Sequence, residues 1–186
     1  MLNRKKIISL LFLCLLVGGC AWFKKEKSDA PVTQRHDESN KIIDAARLKQ
    51  GGTIFIVPFK AGPNVAATPQ LDRIALMIVK GMAEQINQSQ SPFRVLSAEN
   101  KDYADFIIQG HITKLTEPQG LKKWPLGKKE KILAAMGYMI EQKTRKKILI
   151  FSQQKRSLSK GQGYEDLGLG IGSDLAESIL EAQRSH

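Results

Sequence analysis

Thr53-Ile54-Phe55-Ile56-Val57-Pro58-Phe59 is a continuous apolar run rich in β-branched residues. A run of this kind suits a buried central strand, and Pro58 marks its end. Gly62-Pro63-Asn64 then turns the chain. Thr68-Pro69 opens a helix, with Thr as cap and Pro at the first helical position. Leu71, Ile74, Ala75, Ile78, Val79, Met82, Ala83 and Ile86 recur at spacings of 3 and 1, one apolar stripe over four turns. Phe93–Ser97 reads as a short strand, and Asn100–Tyr103 as a loop. Asp105–Leu115 is a long strand, alternating from Ile108 on. Ile132–Gln142 and Lys147–Ser157 form a hairpin turned by Lys143-Thr144-Arg145-Lys146. Leu158–Gly172 reads as a glycine-rich loop before a final helix in which Leu175, Ala176, Ile179, Leu180 and Gln183 share a face. The pattern predicts an α/β fold: a small two-layer sandwich, a mixed sheet of about five strands with two helices mainly on one face.

Upstream of Thr53 the chain changes character. Residues 24 to 50 are polar and largely without period, apart from a short apolar cluster, Ile42, Ile43, Ala46 and Leu48, that Gly51-Gly52 would end. They read as a tether, and about 30 residues of flexible coil reach roughly 30 Å on average. Further back, Arg4, Lys5 and Lys6 precede an apolar run from Ile7 to Val17. That run is 11 residues long, where a membrane-spanning helix needs roughly 20. A basic start, a short apolar core and small residues before a cut site describe a signal peptide. Leu16-Val17-Gly18-Gly19-Cys20 resembles the lipobox of bacterial lipoproteins, in which the Cys becomes the first residue and is acylated. The expected organisation is therefore signal peptide 1–19, lipidated Cys20 and tether 20–50, and a periplasmic α/β domain 51–186.

The resemblance implies three acyl chains on Cys20. One chain binds a membrane marginally and two or more hold firmly, at about 0.8 kcal/mol per buried CH2. Trp22 and Phe23 follow the lipid directly, either seated at the headgroup level or as the start of the linker. Ala21, rather than Asp, after the Cys implies sorting to the outer membrane by the same resemblance. Loss of Cys14 with the signal leaves Cys20 as the one mature cysteine, so the domain must be held by its core.

Charge is unevenly spread. Without Arg4, Lys5 and Lys6 the 29 basic residues become 26, against 18 acidic, a net of about +8. Residues 122 to 160 hold 12 basic residues against Glu130 and Glu141. The densest parts are Lys122, Lys123, Lys128 and Lys129 around Trp124, and Arg145, Lys146 and Lys147 at the hairpin turn. Two readings stay open: a patch for an anionic polymer, phospholipid headgroups or an acidic protein, or a solvated edge that blocks strand-to-strand aggregation. Trp124 would meet membrane or a partner. The export signal argues against nucleic acid.

Little chemistry can be assembled. His36, His111 and His186 are the three histidines, and His111 lacks any partner at a metal-ligand spacing. No nucleophile–base–acid set or G-x-S-x-G elbow occurs. Gly168, Gly170 and Gly172 raise a phosphate cradle, but neither a preceding strand nor a GK[ST] ending is present. No enzyme activity and no cofactor are expected.

With Ile54-Phe55-Ile56-Val57-Pro58-Phe59 at its start and Ala104-Asp105-Phe106-Ile107-Ile108-Gln109-Gly110-His111-Ile112 in its middle, the chain resembles a group of bacterial lipoproteins. It includes the curli secretion channel CsgG, the Pel polysaccharide export lipoprotein PelC and the penicillin-binding-protein activator LpoB. The shared pattern runs roughly val-x-Pro-phe, a helix, Ala-Asp-tyr-hydrophobic-hydrophobic-x-Gly-x-hydrophobic, then a hairpin around Asp-x-x-Thr-Gly, and it covers about residues 53 to 183. Here Thr144 is kept, Arg145 replaces the Gly and Glu141 stands for the Asp. No apolar-alternating insertion is long enough for the transmembrane hairpins of a curli-type channel.

The resemblance implies a non-catalytic, outer-membrane-anchored accessory component of an envelope export machine for exopolysaccharide or protein, working as a homo-oligomer, with the domain facing the periplasm. The alternatives are a tethered activator of a periplasmic peptidoglycan synthase and an envelope-assembly lipoprotein that handles lipid or glycan through its basic patch. A tether of about 30 residues spans at most roughly 100 Å, short for the activator's task.

Overall fold

A computed structural model describes residues 39–116, 130–157 and 161–185. In chain order the elements are β1 (Ser39–Ile42), α1 (Ala45–Gln50), β2 (Gly52–Ile56), β3 (Lys60–Ala61), α2 (Pro69–Gln88), β4 (Phe93–Val95), a 3-10 turn (Ala98–Tyr103), β5 (Phe106–Thr116), β6 (Lys131–Glu141), β7 (Lys147–Ser157) and α3 (Tyr164–Arg184).

The strands make one sheet of seven, ordered β1-β7-β6-β5-β2-β4, with β3 also paired to β5. β2 runs parallel to β4 and β5, so the connection through α2 is a β-α-β crossover. β5, β6 and β7 are an antiparallel meander. The helix α2 starts as its sequence requires: the Leu71 N–H donates to Thr68 Oγ1 at 3.2 Å, with Pro69 at the first helical position. Its stripe is the core, and Leu71, Ile74, Ile78, Met82 and Ile86 are all buried. They pack with Leu167, Ile171, Leu175 and Ile179 of α3, and with Ile54, Phe106, Ile108 and Phe151 of the sheet. The alternation of burial along β5, β6 and β7 leaves the other sheet face only half covered.

Three expectations need correcting. The sheet has seven strands rather than about five. The additions are β1 and β3, of four and two residues, too short to show a period. β1 also shortens the tether. Ser39–Ile42 pair antiparallel with Leu149–Ser152, and Leu48 of α1 is fully buried, so residues 39–50 belong to the folded domain. Its cap is local: Asp44 Oδ1 accepts from the Arg47 N–H at 2.9 Å.

The third correction is the glycine-rich stretch, which is helix from Tyr164 on. Gly168 and Gly172 lie where α3 crosses α2. A Cβ at Gly168 would stand 3.0 Å from the Ile74 carbonyl oxygen, and one at Gly172 would collide with that of Ile78. Gly81 of α2 answers from the other side, against the Leu169 carbonyl. The glycines are thus the surface by which two helices approach closely, and a helical backbone there cannot wrap a phosphate. The Gly163 N–H donates to Asp166 Oδ2 at 2.7 Å, which closes the helix start.

Candidate functional site: the hairpin tip and the half-covered sheet face

The motif residues turn out to fit one another. The Asp105 carboxylate accepts from the Thr53 N–H at 2.8 Å and from Thr53 Oγ1 at 2.9 Å. Its own N–H donates to the Thr53 carbonyl at 3.0 Å. The Ala-Asp motif therefore clamps the start of β5 to β2. The bonds from Thr53 hold the Asp105 carboxyl below its ordinary range, with Arg47 and Lys143 helping and partial burial opposing. Further along β5, a Cβ on Gly110 would strike the Phe59 ring. The Gly of the middle motif makes room for the Phe of the first. Gly137, opposite Gly110 in β6, does the same for Phe151.

The hairpin tip is tied down from beneath. Glu141 Oε1 accepts from Arg47 Nε at 2.6 Å and Oε2 from Thr144 Oγ1 at 2.5 Å. The Arg47 guanidinium lies 4.2 Å from the centre of the Phe106 ring. Thr144, and then Arg47, hold the Glu141 carboxyl below its ordinary range. The Arg145 N–H donates to the Glu141 carbonyl at 2.9 Å, and Arg145 has φ of 58°. That left-handed conformation is the one glycine adopts freely, which explains the Gly of the motif. Arg145, Lys146 and Lys147 are all exposed there. The Lys147 ammonium sits 4.7 Å from the centre of the Tyr138 ring on the half-covered face.

Of the other predicted site residues, Cys20, Trp22, Phe23, Lys122, Lys123, Trp124, Lys128 and Lys129 lie outside the described residues. The structure adds cations that sequence order had scattered. By register, Lys41 (opposite Ile150), Lys60 (opposite His111), Arg94 (opposite Thr53) and Lys114 (opposite Ala134) all stand on the half-covered face. Strict alternation in β5 would put Lys114 on the buried face with Ile112, but the register slips between Ile112 and Lys114 and turns Lys114 to this face. The centre of this face is apolar, with Phe55, Ile107, Tyr138, Ile140 and Ile150 half-buried and Met136 47% exposed. Gln109 Nε2 donates to the Tyr138 hydroxyl at 2.7 Å. Beside them a shallow cavity of about 210 Å3 opens between Val57, Lys60, His111 and Tyr138. Among the described residues no cluster of three His, Cys, Asp or Glu could hold a metal ion, and no helix is long and apolar enough to cross a membrane.

No protein-family model matches the sequence, and no curated protein matches it either. At the level of fold the chain is similar to solved structures of small α/β domains of PelC type. Two of these are PelC dodecamers from Paraburkholderia phytofirmans. One shares 9% identity and a TM-score of 0.53, with 77% of this chain and 97% of that chain covered. The other shares 11% identity and a TM-score of 0.53, with 79% and 99% covered. A Xanthomonas campestris protein of the DUF330 family matches with 8% identity and a TM-score of 0.50, over 78% of this chain and 94% of that one. At such identities the likeness is one of fold.

Proposed function

We propose that this chain is a lipid-anchored envelope lipoprotein whose copies assemble, as a ring, into a non-catalytic accessory part of an export machine for exopolysaccharide or protein. Cys20 holds it in the outer membrane with the domain facing the periplasm. Trp22, Phe23 and Trp124 meet the membrane interface or a partner. Lys122, Lys123, Lys128, Lys129, Arg145, Lys146 and Lys147 face an anionic polymer or acidic protein. The observation that carries the reading is the fold: nearly the whole length of PelC, a protein solved as a dodecamer, superposes on this domain. The lipobox-like Leu16–Cys20 supplies the anchor. The structural roles of Asp105, Gly110 and Thr144 also fit a scaffold, because these motif residues bond and pack within the domain.

The anchor is tested by labelling cells with a palmitate analogue and separating inner from outer membranes. The wild-type chain should carry label and travel with the outer membrane. Cys20→Ala should carry none and no longer travel with the outer membrane. An unlabelled wild-type chain would refute the lipoprotein reading.

A further inference from the structure

The two layers of the domain carry opposite charge. Lys41, Lys60, Arg94, Lys114, Lys147 and Arg156 stand on the half-covered sheet face by register and alternation, and among the described residues no strand residue on that face is a carboxylate. Three described carboxylates lie nearby. Asp105, just before β5, is taken up by Thr53, and Glu141, paired in register with the buried Phe106, turns to Arg47 on the helix side. Arg156 has a partner in Glu130, at 3.7 Å. On the opposite layer, α2 and α3 place Asp72, Glu84, Glu165, Asp166, Glu177 and Glu181 outside the core, against Arg73, Lys80 and Arg184. Two of these carboxylates already meet cations at the surface, Arg73–Glu165 at 3.4 Å and Lys80–Glu84 at 3.8 Å, pairs that hold little in water. Outside the core α2 and α3 together remain negative by three charges, while α1 beside α3 adds Lys49 and Arg47, the latter held by Glu141.

We infer that the half-covered sheet face is the seat of a second copy of this chain, which docks by the outer layer of its α2 and α3. Charge complementarity selects this occupant: a basic rim around an apolar centre on one side of the molecule, an acidic layer on the other. Met136 and Leu76, 47% and 53% exposed, supply apolar contact from the sheet and helix layers respectively. The area suffices. Strands about 4.8 Å apart and 11 residues long make a face some 25 by 35 Å, comparable to the roughly 800 Å2 per partner of a stable interface. Because the two docking surfaces differ, the contact is head-to-tail, and head-to-tail contacts close into rings or run on as filaments. The inference rests on the assembly reading above and assigns its surfaces.

The test uses the full-length acylated protein in mild detergent, with mass read by light scattering over a range of concentration. One variant reverses the sheet face (Lys41→Glu, Lys60→Glu, Lys147→Glu), and a second reverses the helix layer (Glu84→Lys, Glu165→Lys, Glu181→Lys). Each alone should weaken self-association about 100-fold, because like charges then face each other. Mixed one to one, the two variants should assemble again, since each now complements the other. A photo-crosslinker at Met136 in the otherwise native chain gives a second reading, and should mark α2 or α3 of another copy. Unchanged assembly of both variants, a mixture of well-folded variants that stays dissociated, or crosslinks from Met136 to lipid alone would each overturn the inference while leaving an assembled wild type standing. A wild type that is monomeric throughout would overturn the assembly reading and this inference together.

Discussion

Arg145 sits in a left-handed conformation, φ 58°, that costs an ordinary residue about 1 kcal/mol or more. Arg145→Gly relieves that strain but loosens the unfolded chain by about 0.4–1 kcal/mol. The balance should leave the melting temperature unchanged or a few degrees higher, whereas a clear fall would mean that the guanidinium holds the tip. Asp105 is the opposite case. Its carboxylate takes two bonds from Thr53, and Asp105→Ala should cost about 1–3 kcal/mol in chemical denaturation. Thr53→Val should show part of the same loss. Both Asp105 and Glu141 titrate below their ordinary range in the folded chain. A depressed folded value means that their contribution is complete above the ordinary carboxylate range and fades as pH falls through the lowered values. Melting temperature should thus hold from neutral pH down to the ordinary carboxylate range and fall only below it. Thr144→Val, which removes the largest cause of the Glu141 shift, should flatten that fall. An identical pH profile for wild type and variant would show that Glu141 does not contribute.

At the scale of elements, the α2–α3 contact is built on Gly81, Gly168 and Gly172. Gly172→Val should drive a side chain into the Ile78 carbonyl and cost 3 kcal/mol or about that, the upper end for overpacking. Gly163→Ala meets nothing nearer than 3.5 Å and should be tolerated, so equal melting curves for the two variants would refute close helix packing. The same glycines explain what was hard to read in the sequence. Each lowers helix propensity by about 1 kcal/mol, so local preference spoke for a loop at 158–172, and only the tertiary crossing makes it helical from Tyr164 on. Long elements were legible because period and length agree: the stripe from Leu71 to Ile86, the alternation in β5 as far as Ile112 and the hairpin at Lys143–Lys146 all stand where the pattern put them, whereas the bulge after Ile112 turns Lys114 and Leu115 to the faces opposite those that alternation gave them. β1 was not, because four polar and apolar residues carry no period until Leu149–Ser152 pair with them.

At the scale of the whole molecule, the motifs announced a fold and concealed a surface. Phe59 against Gly110 and Asp105 on Thr53 are interior fittings. The basic face gathers Lys41, Lys60, Arg94, Lys114 and Lys147 from five strands, and such a grouping exists only after strand order is set. Sequence order found the cations at 143–147 because they are neighbours in the chain, and missed the others because they are not. A face of this kind loosens with salt, since exposed charges are screened beyond about 10 Å at 0.1 M ionic strength. Assembly should therefore weaken between low and high salt, and a salt-independent mass would place the contact on apolar surface alone. The central claim, that anchored copies of this chain build a closed assembly, is tested most directly by the absolute mass of the acylated wild-type protein in mild detergent at low salt. One discrete oligomer of many subunits is expected. A single species with the mass of one acylated chain, at every concentration, would contradict it.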